Sequence, residues 1–177
     1  MTVRPIVKFP VADLKSKARP VTKFDDELRL LVADMIDTMR QAPGVGLAAP
    51  QIGVLLRVAV IDGDATRPES ERREDSETRE PVPDLVLVNP EIISAEGEQV
   101  DEEGCLSVHD YSTNVKRFAR VRVKAQDLEG NPLEFEAEEF FARVIQHELD
   151  HLEGTLFIDR ISSLKRALYR KKLKKMQ

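Results

Sequence analysis

The chain has 177 residues, 41% of them hydrophobic and 33% charged, with a net charge of −5. That length suits one domain around a single core, and the acidic balance argues against a nucleic-acid binder such as a DNA-binding protein. One cysteine cannot close an internal disulfide and no apolar run nears the ~20 residues of a membrane span. With neither a secretion signal nor a transit-peptide pattern in the first twenty residues, the expected compartment is the cytoplasm, with no membrane partner.

The first element is "FDDELRLLVADMIDTMRQAPG" (24–44), where Leu28, Leu31, Val32, Met35, Ile36 and Met39 recur at helical spacing. Asp25 is the expected N-cap, and Pro43–Gly44 ends the helix. "GVGLAAPQ" (44–51) reads as a Gly-punctuated loop, and "LLRVAVID" (55–62) as a buried strand.

In residues 64–84, 12 of 21 positions are charged and only Ala65 and Val82 are apolar, which predicts a solvated surface insertion. "LVLVNPEII" (85–93) resumes as strand. "RVRVKAQD" (120–127) and "PLEFEAEEF" (132–140) alternate with period two around "LEGN", predicting an antiparallel hairpin. Helix, strands and helix in succession predict an α+β fold, mostly antiparallel sheets around one central helix, as a single domain over 1–177.

That central helix carries "VIQHELDHLEG" (144–154), with Gly154 as its expected end. His147 and His151 stand one turn apart on one face, so both imidazoles reach a single ion, and Glu148 beside the first is placed to handle a proton. Phe141, Val144, Ile145 and Leu152 form the apolar stripe, and Glu148 falls within it. An ordinary charged helix would instead leave Glu148 exposed together with Arg143 or Glu153. A carboxylate on a core-facing stripe is costly without a partner or a task.

A metal needs further ligands. The extended metzincin pattern would put a third His where Phe157 stands, and a thermolysin-like acid downstream is missing, since past Glu153 the only acid is Asp159. The third ligand is therefore expected upstream, from Cys105 in "EEGCLS" or His109 in "SVHDY", with Cys105 favoured because thiolates bind Zn2+ and Fe2+ strongly.

"GVGLAAPQ", "EGCLS" and "QHELDHLEG", in that order, resemble the three signature motifs of peptide deformylases. The resemblance covers nearly the whole chain and implies a metal held by Cys105, His147 and His151 with water as fourth ligand. It implies Glu148 as the catalytic acid–base, and Gln51 and the Leu106 N–H as oxyanion donors. Backbone groups of Val45, Gly46 and Gly104 would pair with the substrate chain, Gly44 and Gly46 giving it room. The implied metal is Fe2+, one per chain, with Zn2+, Ni2+ or Co2+ as substitutes. The implied reaction removes the N-formyl group from N-formylmethionyl ends of nascent polypeptides and releases formate. Residues near Val45, Phe140 and Val144 are expected to line the methionine pocket.

The chain departs from the family after Val108, where His109–Asp110–Tyr111 replaces an aliphatic residue and a proline in a stretch expected to border the cleft. The tail, "RISSLKRALYRKKLKKMQ" (160–177), has eight Lys/Arg and no acid. It is expected as a basic C-terminal helix docked through Ile161, Leu164 and Leu168, and the ribosome is the partner that its charge and the family role suggest.

Overall fold

The computed structural model describes residues 2–72, 77 and 79–176. Helix α1 runs Asp26–Gln41, with the Asp25 side chain accepting the Leu28 N–H as N-cap. Its stripe is buried at Leu28, Leu31, Val32, Met35 and Met39, with Ile36 half-buried at the edge of the same core. The expected loop at 44–51 is more ordered than its glycines suggest. Gly46–Ala48 form strand β1, and Ala49–Ile52 make one 3-10 turn.

Strand β1 pairs antiparallel with β2 (Val58–Ile61), which pairs with β3 (Leu85–Glu96). The segments 120–127 and 132–140 supply β6 (Arg120–Gln126) and β7 (Pro132–Glu138). Their hairpin turns on Asp127, whose carboxylate accepts the Glu129 and Asn131 N–H groups, and on Gly130 at φ +84°. The five-strand order is β1-β2-β3-β6-β7, antiparallel throughout; β4 (Gln99–Cys105) and β5 (Val108–Arg117) form a separate antiparallel pair. The fold is α+β with antiparallel sheets, as the order of elements predicts.

Between the five-stranded sheet and the β4–β5 pair lies α3 (Glu139–Leu152). Val144, Ile145 and Leu149 pack on Val121, Val123 and Ala137 of the sheet. Gly154 ends the helix at φ +74°, so close to the chain at Lys15 that a Cβ would sit 2.5 Å from the Lys15 carbonyl oxygen. Unlike an amphipathic surface helix, α3 is buried on nearly every side, Arg143, Gln146, Glu148 and Asp150 included. Arg143, expected among the solvent-facing positions, is buried because Glu103 of β4 pairs with it.

The described part of 64–84 has an anchored stem. Gly63 lies against Val82 so tightly that a Cβ would meet its carbonyl oxygen at 2.0 Å, and Ala65 is buried. A short helix, α2 (Glu69–Arg72), follows, and the Arg72 guanidinium carbon sits 3.8 Å from the Phe140 ring centre. Positions 73–76 and 78 lie outside the described residues.

The tail helix α4 spans Ser163–Lys175, capped by the Ser162 hydroxyl on the Lys165 N–H. Its docking face differs from the expected one. Leu164 and Leu168 are exposed, whereas Tyr169 is buried and Ile161 and Leu173 pack beside it. The seat is aromatic: Tyr169 lies 4.7 Å from Tyr111 and 6.2 Å from Phe9 between ring centres. Residues 109–111 therefore serve α4 and do not border the cleft, with Tyr169 donating to the His109 carbonyl and Lys172 to that of Asp110. No helix among the described residues is long and apolar enough to cross a membrane.

Candidate active site

Strand β4 delivers its last residue, Cys105, to the helix face where His147 and His151 stand one turn apart. Cys105 Sγ lies 3.4 Å from His151 Nε2, and one donor atom from each of the three residues falls within 4.8 Å of the other two. Tetrahedral ligation at ~2.0–2.3 Å sets donors about 3.5 Å apart, so the cluster is of the right size for one ion. The other upstream candidate, His109, is exposed, 3.6 Å from Asp110, and is not part of this cluster. Among the described residues this is the one His/Cys/Asp/Glu group found with metal-ligand spacing.

Glu148 is 4% exposed and faces β1. A Cβ on Gly46 would lie 2.7 Å from Glu148 Oε1, so glycine there makes room for the carboxylate. Gly44 likewise gives way to Leu106, at 2.8 Å from its Cδ1. Both glycines thus make room for the protein's own side chains. Glu148 Oε2 is buried with no hydrogen-bond partner among the described residues, and burial raises its pKa to about 7. A thiolate-capable sulfur, two imidazoles and an unpartnered buried carboxylate together fit a transition metal with a reactive water beside it.

Gln51 is fixed at both ends. Its Oε1 accepts the Ala48 N–H at 2.9 Å, which turns Nε2 toward Ser107 Oγ (3.2 Å) and Cys105 Sγ (3.6 Å). Leu106 and Ser107 form the β4–β5 turn, and the Ser107 N–H donates to Cys105 Sγ at 3.4 Å. The N-terminal segment clamps both pieces: Val7 N–H donates to the Gln51 carbonyl and Phe9 N–H to that of Ser107, each at 2.7 Å.

Behind the histidines stands Glu103, which sequence reasoning did not single out. It accepts two bonds from Arg117 at 2.9 Å each, one from Arg143, and one from His147 Nδ1 at 2.9 Å. Burial alone would raise its pKa, but bonds to Arg117 and His147 outweigh this and hold it at about 2. The bond at Nδ1 turns His147 Nε2 toward Cys105. Burial opposes charge on both histidines. At His147 the bonds to Cys105 and Glu103 prevail and raise its pKa well above the usual value, while His151 is driven well below, helped by His147 and Arg117. Asp150 extends the network, accepting from Arg117 at 2.6 Å and from Arg160 at 2.5 and 2.6 Å.

A cavity of about 370 Å3 opens beside these groups, lined by Val45, Gly46, Gly104, Leu106, Phe140 and Val144 among others. A larger groove of about 780 Å3 lies on the Asp150 side of α3, where Arg57 pairs with Glu153 and Lys116 with Glu98.

Residues 3–167 match the family described as polypeptide deformylase. The chain is 49% identical to the peptide deformylase of Acidobacterium capsulatum, over all of this chain and 97% of that one. The chain belongs to the peptide deformylase family. Among solved structures, the peptide deformylase of Legionella pneumophila superposes with a TM-score of 0.84 at 44% identity, covering 99% of this chain and 95% of that one. That of Ehrlichia chaffeensis, solved in complex with actinonin, gives 0.86 at 35% identity over 100% and 99%. Like its relatives this deformylase is a metal-dependent enzyme, which hydrolyses the N-formyl group from N-formylmethionyl ends of new polypeptides and releases formate.

Proposed function

We propose that Cys105 Sγ and one ring nitrogen each of His147 and His151 hold a single Fe2+, replaceable by Zn2+, Ni2+ or Co2+, with one position left to water and substrate. The observation that carries this is the meeting of the three donors within 4.8 Å next to Glu148, whose buried Oε2 has no hydrogen-bond partner among the described residues. Bound there, the ion would supply Lewis acidity to a water and to the formyl oxygen.

The rest of the chemistry falls to side chains and backbone. Glu148, its pKa raised to about 7, takes the proton of the attacking water and returns it to the departing amine. As the formyl carbon becomes tetrahedral its oxygen gains charge, and the Gln51 amide and the Leu106 N–H donate to it. Losing one such donor typically costs ~3 kcal/mol. The substrate chain lies between β1 and the end of β4, pairing as an added strand with backbone groups of Val45, Gly46 and Gly104. The methionine side chain fills the apolar part of the cavity at Val45, Phe140 and Val144. Residues 1–177 act as one catalytic unit, in the cytoplasm, with 64–84 as a surface insertion.

The partners are nascent formylated polypeptides and, through the basic face of α4, the ribosome. Arg170, Lys171, Lys174 and Lys175 are exposed there, next to the uncovered Leu164 and Leu168. Ribosome binding that weakens with salt and on deletion of residues 170–177 supports this contact; indifference to both removes it.

The decisive experiment is metal analysis of anaerobically purified protein beside a formate-release assay on a formyl-Met peptide. One ion per chain with formate release is expected; internal peptide cleavage instead would identify a different metallopeptidase. Because Fe2+ next to a thiolate invites oxidation of both, the iron form loses activity in air while the zinc and nickel forms keep theirs.

A further inference from the structure

Three successive residues of the N-terminal segment grip the turn that follows Cys105. Val7 and Phe9 are tied through their backbone N–H groups, to the Gln51 and Ser107 carbonyls at 2.7 Å each. Between them, the Lys8 ammonium donates to the Leu106 carbonyl. Lys8 is exposed, but its backbone is fixed on both sides, so the side chain starts from a set point beside the turn. A lysine on a carbonyl is commonly a surface contact without consequence. Here the carbonyl belongs to a peptide group whose other end meets the metal-binding sulfur.

The Leu106 carbonyl and the Ser107 N–H are the two ends of one peptide unit, and that N–H donates to Cys105 Sγ at 3.4 Å. In a trans peptide the two groups point in opposite directions. The ammonium therefore sits at the negative end of a dipole of ~3.5 D, and the sulfur at its positive end. A cation on the oxygen draws electrons from the amide and makes its N–H the stronger donor. Ser107 is fully buried, so the bond to sulfur lies in a setting where such polarisation is little screened. A thiolate that accepts hydrogen bonds gives less charge to its metal.

We propose that Lys8 is a positioning residue for the sulfur ligand: its ammonium aligns and polarises the Leu106–Ser107 peptide, so that the Ser107 N–H draws charge from the Cys105 thiolate. This role rests on Cys105 holding the ion, as proposed above. A thiolate drained in this way leaves the bound ion more electron-poor, and so a stronger Lewis acid toward the formyl oxygen. Lys8 touches neither the ion nor the sulfur; it acts through one peptide group.

The test compares wild type with Lys8→Met, which keeps the length of the side chain and removes its charge and donors, and with Lys8→Arg. In the Zn2+-loaded protein, the nuclear magnetic resonance of the Ser107 amide proton should move upfield in Lys8→Met as its bond to sulfur weakens. In the Co2+-loaded protein, the thiolate-to-cobalt charge-transfer band should move to longer wavelength, because the sulfur then holds its electrons less tightly. Lys8→Arg, which keeps the cation, should stay close to wild type in both spectra. A Ser107 proton or a cobalt band that does not move in Lys8→Met overturns the proposal, and so does an equal shift in the two variants. A clamp that only held the segment in place would leave the cobalt band where it is. A wild-type cobalt spectrum without any thiolate band would instead defeat ligation by Cys105. Failure of the metal site is thus read in the wild type, and failure of the role of Lys8 in the variants.

Discussion

Two buried carboxylates stand beside the histidine pair and have opposite fates. Glu148, against β1, has one oxygen without a hydrogen-bond partner among the described residues and a pKa raised to about 7; Glu103, on β4, takes four hydrogen bonds and is held at about 2. Both are less than a tenth exposed, so burial does not distinguish them. What differs is the company: the bare backbone of Gly46 for one, Arg117, Arg143 and His147 for the other. A lone buried carboxylate is ready to exchange a proton near neutral pH, and a saturated one is a fixed negative charge that orients an imidazole.

The sharpest way to break this contrast is to delete each carboxylate in turn. Glu148→Ala should lower kcat by ~10²–10⁴-fold with metal content unchanged, measured by formate release and elemental analysis. Near-normal turnover would remove Glu148 from the chemistry. Glu103→Ala should act on stability instead, costing about 3–5 kcal/mol in urea unfolding, since Arg117 and Arg143 lose their shared counter-charge. It should also weaken metal affinity by ~10–100-fold through the freed His147 ring.

The pH dependence of the metal-free protein separates the two by sign. Glu103 falls from 4.5 to about 2 on folding, so the unfolded chain binds more protons in that interval. Its stabilisation, roughly 3 kcal/mol, is complete above pH 4.5 and is lost as pH falls toward 2. Glu148 rises from 4.5 to about 7, and the folded chain holds the extra proton. Its burial therefore costs stability as pH climbs from 4.5 to 7, and Glu148→Gln should stabilise metal-free protein at pH 8 by up to roughly 3 kcal/mol but not at pH 4. Equal gains at both pH values would contradict the raised pKa. The smallest effect expected is that of Gly46→Ala, whose Cβ would press on Glu148 Oε1 from 2.7 Å. Roughly ten-fold lower kcat with stability changed by about 1 kcal/mol would show that glycine there serves the carboxylate's position.

The same contrast explains what the sequence made legible. Glu148 was visible because a charge in an apolar helical stripe violates the periodicity around it. Glu103 sits in a strand, next to Glu102, where an acid breaks no pattern. A signal was nevertheless present: Glu103 and Cys105 are two apart, on one face of β4, and Arg143 and His147 are four apart, on one face of α3. Putting Cys105 against His147 brings Glu103 and Arg143 together as well. For α4, Leu164–Leu168 and Tyr169–Leu173 are equally good four-residue pairs, and periodicity cannot choose between them. The partner surface chose, through Phe9 and Tyr111. The short β1 was hidden because three residues between glycines and a 3-10 turn carry no alternation, and their strand form comes from pairing with β2.

X-ray absorption at the metal edge of anaerobically purified protein tests the central claim most directly. One ion per chain should show one sulfur at ~2.3 Å and two imidazole nitrogens at ~2.0–2.1 Å, with the sulfur lost in Cys105→Ser. A first shell without sulfur in the wild-type, formate-releasing protein would contradict it.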